Sequence, residues 1–314
     1  MTLPETRIAV LIPCYNEEAT IANVVRDFRA CLPSSVIYVY DNDSRDATAE
    51  RARQAGAVVR FEIRKGKGNV VRRMFADIEA DIYVLVDGDD TYDASVAPAL
   101  IGMLIDEGLD IVSGQREATG AAAYRRGHVL GNRLLTGLTS LMFGIKVADM
   151  LTGYRIMSRR FVKSFPAAAA GFGIETELTV HAVRTKVPMA EVPTRYKERP
   201  AGSASKLSTW RDGFRILLTI VGLMRRERPL IFFGSIFAFF ALFSLAIGVP
   251  VVIEYFQTGL VPRLPTAVLV TGMMMLAFLS LFTGLMLDTV TRGRWESKRL
   301  RYLAIPGPQD LKKP

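Results

Sequence analysis

Short apolar runs separated by longer polar segments mark the part of this 314-residue chain before residue 200. The runs are rich in β-branched residues, and polar segments of helical length separate the early ones, a pattern typical of alternating strands and helices. They cover residues 8–12, 36–40, 58–61, 82–86 and 111–113. Runs that are apolar throughout suit a mostly parallel sheet covered by helices on both faces, so the pattern predicts an α/β fold.

Two much longer apolar stretches follow, residues 230–253 and 266–287, and neither contains a charged side chain. At about 1.5 Å per residue each is long enough to cross a hydrocarbon core of about 30 Å. A buried helix of a soluble protein is the alternative, but two such stretches joined by a short loop with a proline favour two membrane spans. No comparable stretch opens the chain, so a signal peptide is not expected.

Positive charge predicts how these spans are oriented. Basic residues flank both stretches, whereas the loop over residues 254–265 carries only Arg263. Cytoplasmic segments are enriched in Lys and Arg, so both termini and the α/β domain are expected in the cytoplasm. The basic and apolar residues at helical spacing over residues 210–224 suit a helix in the membrane interface, with packing against the globular domain as the alternative. The predicted organisation is an α/β domain over residues 1–206, an interfacial helix over 207–228, a two-helix anchor over 229–289 and a basic tail over 290–314.

Composition narrows the choice of partners. The net charge of +9 is explained by attraction to anionic lipid headgroups, and no segment interleaves aromatic and basic residues as nucleic-acid reader modules do. A membrane partner is therefore expected and a nucleic-acid partner is not. Cys14 and Cys31 imply neither a disulfide framework nor a zinc site and fit a reducing compartment. Small residues such as Gly234 and Gly284 in the apolar stretches would permit close helix contacts and hence a homo-oligomer.

An acidic quartet, Asp87-Gly88-Asp89-Asp90, follows the apolar run at 82–86. Carboxylates two residues apart on an extended backbone point in similar directions. Mg²⁺ and Mn²⁺ are bound by a few such oxygens together with phosphate oxygens of a substrate. The quartet therefore predicts a divalent metal site, with an acidic loop closing a strand as the alternative.

Polar clusters also follow the first two predicted strands, at positions 13–17 and 41–44. In sheets of this kind ligands bind beyond the carboxyl ends of the strands, so these clusters are expected to converge with the acidic quartet. Asp41 and Asp43 are suited to accept hydrogen bonds from a base or a ribose, although the same residues form turns and helix caps. The segment Lys65-Gly66-Lys67-Gly68, just before a predicted helix, suits phosphate, with a surface loop as the alternative.

Six motifs in this order resemble the family 2 glycosyltransferases of the GT-A fold, and among them the polyprenyl-phosphate sugar transferases such as dolichyl-phosphate mannose synthases and undecaprenyl-phosphate glucosyltransferases. The resemblance covers about residues 7–210 and extends to the two-span anchor. The motifs are Pro13-x-Tyr15-Asn16-Glu17, the Asp41 cluster, Lys65-Gly-Lys-Gly, Asp87-Gly-Asp89, Asp149-Met-Leu-Thr-Gly-Tyr-Arg155 and Gly202-Ser-Ala-Ser-Lys206-Leu.

The resemblance implies a role for each matched residue. It places Mg²⁺ or Mn²⁺ on Asp87 and Asp89, and it makes Asp149, together with Asp89, catalytic. Thr91 departs from the pattern, because dolichyl-phosphate mannose synthases typically have Gln there as a further metal contact. The implied nucleotide-sugar site consists of Pro13, Tyr15, Glu17, Asp41, Asp43, Lys67, Asp87, Gly88 and Asp89. The implied acceptor or phosphate site consists of Arg125, Arg126, Arg133, Thr136, Arg155, Arg199 and Lys206.

The chemistry of the acceptor bears on Asp149. A lipid phosphate has a second pKa of about 6, so much of it is ionised near pH 7 and needs little help from a general base. Asp149 is therefore either a catalytic base or a positioning residue, for instance one that orients an arginine holding the acceptor. Glu175 and Glu177 are secondary candidates near the acceptor, or caps of a helix. His128 and His181 have no second ligand at a metal-like spacing and are expected to be structural.

The sequence thus favours a membrane-anchored, metal-dependent, inverting transferase. It would move one hexose from a UDP- or GDP-sugar to a polyprenyl phosphate on the cytoplasmic face. A processive polysaccharide synthase is an alternative, but such enzymes carry a Gln-x-x-Arg-Trp element and more spans, and here Thr291 stands in place of the Gln before Arg294-Trp295. A non-catalytic membrane scaffold is a third hypothesis, which the intact acidic motifs disfavour.

Overall fold

The computed structural model describes residues 6–118, 149–167, 173–197 and 221–312 apart from 223, together with Gly137. The chain divides into two compact units. The first consists of Met1–Gly213 and Ser297–Pro314, and the second is Phe214–Glu296.

A seven-stranded sheet forms the centre of the first unit, in the order β3-β2-β1-β4-β6-β5-β7. Every neighbouring pair is parallel except those of β6, which is antiparallel to β4 and to β5. The five runs seen in the sequence are all strands, and the predicted mostly parallel α/β sheet is confirmed, whereas β6 and β7 were not predicted. The strands are β1 Ile8–Cys14, β2 Val36–Asp41, β3 Val58–Phe61, β4 Ile82–Leu85, β5 Ile111–Ala118, β6 Arg155–Ser158 and β7 Met189–Tyr196.

Helices cover the sheet on both faces. In the first unit they are α1 Ile21–Cys31, α2 Thr48–Gln54, α3 Lys67–Asp77, α4 Ala97–Asp106, α5 Arg159–Ser164 and α6 Ile174–Thr185, with short 3₁₀ helices at Ala94–Val96 and Pro308–Lys312. Successive residues of a strand point to opposite faces, and in β1 Val10 and Ile12 belong to one apolar cluster while Ala9 and Leu11 belong to the other. Both faces are buried, which explains why β1 is apolar without alternation.

Two long helices, α7 (Pro229–Thr258) and α8 (Leu264–Leu303), make up most of the second unit. Both are long and apolar enough to span a membrane, and only 17% of each apolar window is buried, unlike the core helix of a soluble protein. Within the hairpin, the Ser244 and Ser280 hydroxyls each donate to a backbone carbonyl of the other helix, at 2.9 Å. Gly284 packs against Phe233, so this small residue serves the hairpin itself, while Gly234 has no such neighbour.

Within the first unit, the C-terminal segment packs against the sheet through a buried carboxylate. Asp110, directly before β5, accepts hydrogen bonds from the Tyr302 hydroxyl at 2.5 Å and from the Ser158 hydroxyl at 2.6 Å. The Arg160 guanidinium donates two bonds to the same carboxylate, at 2.6 and 2.7 Å, and lies over the Tyr302 ring. Residues 290–314, expected as a basic tail, therefore include the end of α8 and a segment held to β5 and α5.

We expect Tyr302→Phe to lower the free energy that holds this segment in place by about 1–2 kcal/mol. The variant loses a hydrogen bond to a buried charge, while Arg160 still neutralises Asp110. Hydrogen–deuterium exchange of the full-length protein in detergent should show faster exchange in β5 and α5. Tyr255→Phe, at an exposed tyrosine of α7, is the matched control and should leave these segments unchanged. Equal protection in Tyr302→Phe and the wild type would contradict the role of this bond.

Candidate active site

The carboxyl ends of β1, β2 and β4 lie at one edge of the sheet, because these strands are parallel neighbours. The loop after β1 contacts the acidic quartet after β4. The Thr20 hydroxyl donates to the carbonyl of Gly88 at 2.7 Å. A Cβ on Gly88 would lie 2.7 Å from the Cys14 sulfur and would also meet the Glu17 carboxylate. The clusters expected to converge from the sequence are therefore in contact, and Gly88 is glycine because no side chain fits there.

The loops after β1 and β2 are joined by side-chain to backbone hydrogen bonds. Asn16 donates its N–H to the Ser44 hydroxyl at 2.9 Å, and Glu17 donates its N–H to the Thr48 hydroxyl at 2.8 Å. The buried Asp41 carboxylate accepts hydrogen bonds from the N–H and the hydroxyl of Ser44. Pro13 lies within β1, beside Tyr40 of β2. Three residues of the predicted nucleotide site, Pro13, Glu17 and Asp41, thus lie on these two neighbouring strands and the loops that follow them.

Asn42 organises the segment after β3, and sequence reasoning missed its role. Its side-chain amide donates to the carbonyls of Glu62 and Arg64, at 2.7 and 2.8 Å, and accepts from the N–H of Gly66 at 2.7 Å. Asn in a turn after a strand is the only signal the sequence offers for this. These three hydrogen bonds hold the segment so that Lys65, which follows Arg64, lies 3.3 Å from Asp43 and over the Tyr15 ring.

Lys67 is the first residue of α3, and its ammonium is the cation at the centre of the site. It forms a close ion pair with Asp87 and a second with Glu175, at 2.6 Å. Burial opposes the charge on Lys67, but the two carboxylates outweigh it and raise the pKa of the ammonium above its usual value. Lys67 is therefore a fixed positive charge at physiological pH. Glu175, only a secondary candidate in the sequence, lies in the site and is 5% exposed.

Asp87 and Asp89 both belong to the acidic quartet that follows β4. Asp89 accepts a hydrogen bond from the Thr91 hydroxyl at 2.6 Å. Thr91 stands where dolichyl-phosphate mannose synthases typically have a Gln that contacts the metal, and here it supports the Asp89 carboxylate instead. Within the described residues, no group of three or more His, Cys, Asp or Glu side chains could hold a metal by itself. Two carboxylates, one of them already paired with a cation, fit a hard divalent ion that takes its other ligands from a diphosphate.

Asp87 also contacts the motif that carries Asp149. A Cβ on Gly153 would lie 2.7 Å from the Asp87 carboxyl carbon, so the Asp87 side chain packs directly against the Gly153 backbone. The N–H of Gly153 donates to the Tyr92 hydroxyl at 2.8 Å. The pKa of Tyr92 is raised by burial and further by Asp87, whereas Arg116 lowers it, so both charges lie near this ring.

Asp149 holds Arg116 through both carboxylate oxygens. The distances are 2.6 Å from Arg116 Nε to Oδ2 and 2.8 Å from Nη2 to Oδ1, and the N–H of Leu151 donates to Oδ1 at 3.1 Å. Burial would raise the pKa of Asp149, but the hydrogen bonds and the charge of Arg116 reverse this and lower it. This geometry matches the expectation that Asp149 orients an arginine, and the sequence did not indicate that the arginine is Arg116.

Arg155 is not brought into the site. It is 1% exposed, and its guanidinium donates to the carbonyls of Met150, Thr152 and Glu175 and to the Thr179 hydroxyl. The prediction that Arg155 binds the acceptor is therefore wrong for this structure, because its guanidinium is buried and bonded to groups of the core. The other acceptor candidates, Arg125, Arg126, Arg133, Thr136, Arg199 and Lys206, lie outside the described residues, as does most of the predicted interfacial helix.

The mostly parallel sheet with its acidic edge is that of a GT-A fold, and comparison with known proteins assigns the family. The family model Glycosyl transferase family 2 matches residues 9–165. Glycosyltransferase AglJ of Haloferax volcanii is 36% identical over 250 residues, which cover 79% of this chain and 81% of that protein. The chain therefore belongs to glycosyl transferase family 2 and is a glycosyltransferase, as the resemblance of its motifs implied.

Two further comparisons bear on the chemistry. The dolichyl-phosphate hexose transferase of Haloferax volcanii is 32% identical over 221 residues, covering 70% of this chain and 95% of that protein. A crystal structure of glucosyl-3-phosphoglycerate synthase from Mycobacterium tuberculosis, in complex with Mn²⁺, UDP and phosphoglyceric acid, superposes with a TM-score of 0.56. It is 26% identical and covers 70% of this chain and 78% of that one.

We expect Gly153→Ala to lower the transferase rate by about 100-fold, because the added methyl group displaces the Asp87 carboxylate by about 1 Å. The steady-state rate and the thermal unfolding temperature should be measured together. Gly102→Ala in α4, where a Cβ would meet no atom within 4 Å, is the matched control and should retain full activity. Full activity in Gly153→Ala would show that the position of Asp87 is unimportant.

Proposed function

We propose that this enzyme transfers a single hexose, with inversion, from a UDP- or GDP-sugar to a polyprenyl phosphate at the cytoplasmic face of a membrane. The observation that carries the proposal is the arginine held by Asp149, because Arg116 and Asp87 both lie near the Tyr92 ring, and Asp87 belongs to the acidic edge that suits a nucleoside diphosphate. An anionic acceptor and an anionic leaving group would then be bound side by side. The dolichyl-phosphate hexose transferase relative and the two apolar helices support a lipid as the acceptor.

The donor side is formed by residues at the end of β2, at the start of α3 and after β4. Asp41, buried at the end of β2, is placed to accept hydrogen bonds from the base or ribose, and Asp87, Asp89 and Lys67 face the diphosphate. Bound to the two aspartates, Mg²⁺ or Mn²⁺ would offset the charge that builds on the departing diphosphate. Lys67 adds a fixed positive charge to the same edge. The Mn²⁺ and UDP in the related synthase support this assignment.

The acceptor side depends on Arg116. A guanidinium presents a planar set of donors that matches phosphate, and two bonds to Asp149 fix its plane. The ionised phosphate oxygen attacks the anomeric carbon as the bond from that carbon to the diphosphate oxygen breaks, which inverts the configuration. No proton has to be removed, because the phosphate loses its second proton at a pKa of about 6. Asp149 is thus a positioning residue.

The decisive experiment is a transfer assay with purified full-length protein. Undecaprenyl phosphate, Mg²⁺ or Mn²⁺ and a panel of labelled UDP- and GDP-hexoses should yield a lipid with one sugar. Asp89→Ala, or EDTA with the wild type, should lower the rate by about 100-fold or more, since charge neutralisation on the leaving group is lost. Asp106→Ala, at an exposed aspartate of α4, is the control and should be fully active.

Three other results would each overturn part of the proposal. Long polymer would indicate a processive synthase, and no product with any donor would indicate a scaffold. Transfer to 3-phosphoglycerate in preference to the lipid would indicate a soluble phosphorylated acceptor, like the one bound in the related synthase. Wild-type rates in EDTA would remove the metal from the mechanism.

The pH dependence tests the role of Asp149. Because its pKa is lowered from the usual value of 3.8, this carboxylate is ionised at every pH above that value, and its contribution is lost only when pH falls through the lowered pKa. We therefore expect the acid limb of kcat to fall near pH 6 with the acceptor phosphate. In Asp149→Asn the limb should stay there, while KM for the lipid phosphate rises about tenfold because Arg116 is no longer fixed. Loss of the acid limb in this variant would instead identify Asp149 as a general base.

A further inference from the structure

Lys67 joins three elements that are far apart in the sequence. It begins α3, while Asp87 follows β4 and Glu175 lies in the first turn of α6. Its side chain is 12% exposed, and its ammonium pairs with both carboxylates. Lys65, two residues earlier, is 55% exposed and pairs with Asp43 instead. Only the second lysine of this segment is therefore built into the acidic edge.

Glu175 keeps the ammonium in place. It is 5% exposed, and its second oxygen, Oε2, is buried and accepts no hydrogen bond within the described residues. A carboxylate buried to this extent needs a cation, and removal of the partner is strongly destabilising. Lys67 therefore cannot leave Glu175 without a large cost, and its charge stays against the Asp87 oxygen that a metal ion would use.

We propose that Lys67 is a resident counter-cation of Asp87 that excludes free divalent ions and makes metal uptake depend on the arrival of the nucleoside diphosphate. This inference rests on the proposed function. A divalent ion entering alone meets a fixed ammonium and a carboxylate already neutralised, so its binding is weakened by like-charge repulsion. A diphosphate brings negative charge to both cations at once and removes that repulsion. Metal and donor then bind as one unit.

The test is the affinity of the full-length protein in detergent for Mn²⁺ alone, with free Mn²⁺ measured by electron paramagnetic resonance and no nucleotide present. We expect Lys67→Met to bind Mn²⁺ at least about tenfold more tightly than the wild type, because the repelling charge is gone. Lys67→Arg keeps the charge and should behave as the wild type. Lys163→Met removes a lysine of similar exposure that is paired with Glu79 away from this edge, and should change nothing.

Two outcomes would overturn the inference. One is equal, weak Mn²⁺ binding by Lys67→Met and the wild type, and the other is tighter binding by Lys67→Arg as well. The gain in Lys67→Met must also disappear in Lys67→Met/Asp87→Asn, since the ion is expected on Asp87. If Lys67→Met does not fold, Lys67→Gln, whose amide still donates to the carboxylates, carries the same expectation.

Failure of the proposed function looks different. The wild type would then show no Mn²⁺-dependent binding of UDP- or GDP-hexose and no transfer, whatever the Lys67 variants do. If the wild type binds donor together with Mn²⁺ but Lys67→Met gains no affinity for Mn²⁺ alone, the proposed function is supported and the counter-cation role of Lys67 is contradicted.

Discussion

Charges buried at the edge of an apolar sheet have to be paired, and this requirement shapes the whole site. Lys67 neutralises Asp87 and Glu175, and Arg116 neutralises Asp149, in surroundings where an unpaired charge costs about 3–5 kcal/mol. Each pair joins elements that are distant in the sequence. Loss of Lys67 would take the cation from two carboxylates, and loss of Arg116 would take it from Asp149.

The two ion-pair groups divide the chemistry of the enzyme. The Lys67 group lies on the acidic edge suited to a departing diphosphate, and the Arg116 pair presents a fixed guanidinium suited to an incoming phosphate. Gly153 joins them, since Asp87 packs against its backbone while the same motif carries Asp149. With the anionic donor and acceptor proposed above, transfer requires cations on both sides of the reacting carbon, and the Lys67 and Arg116 groups come from separate elements of the fold.

The same pairing rule acts at the other edge of the sheet, where it serves the architecture. Asp110 precedes β5, and its carboxylate is shared by Arg160, Ser158 and Tyr302. Tyr302 lies near the end of α8, the second of the two helices suited to a membrane span, so this buried carboxylate contributes to holding the C-terminal part of the first unit against the sheet. This contact joins residues 192 positions apart.

The five principal strands, the two long apolar helices and the acidic quartet could be predicted from the chain alone, because each depends on residues close together in it, and the order of the motifs indicated the family. Which charged groups meet could not be predicted, because that depends on contacts between distant segments. Arg155 matches a family motif yet is buried with its guanidinium bonded to core carbonyls, whereas Arg116 stands in no motif and forms the pair with Asp149. Spacing could not reveal this, nor the roles of Glu175 and Asn42, since burial and contacts between distant segments decide whether a polar side chain serves the core or the site.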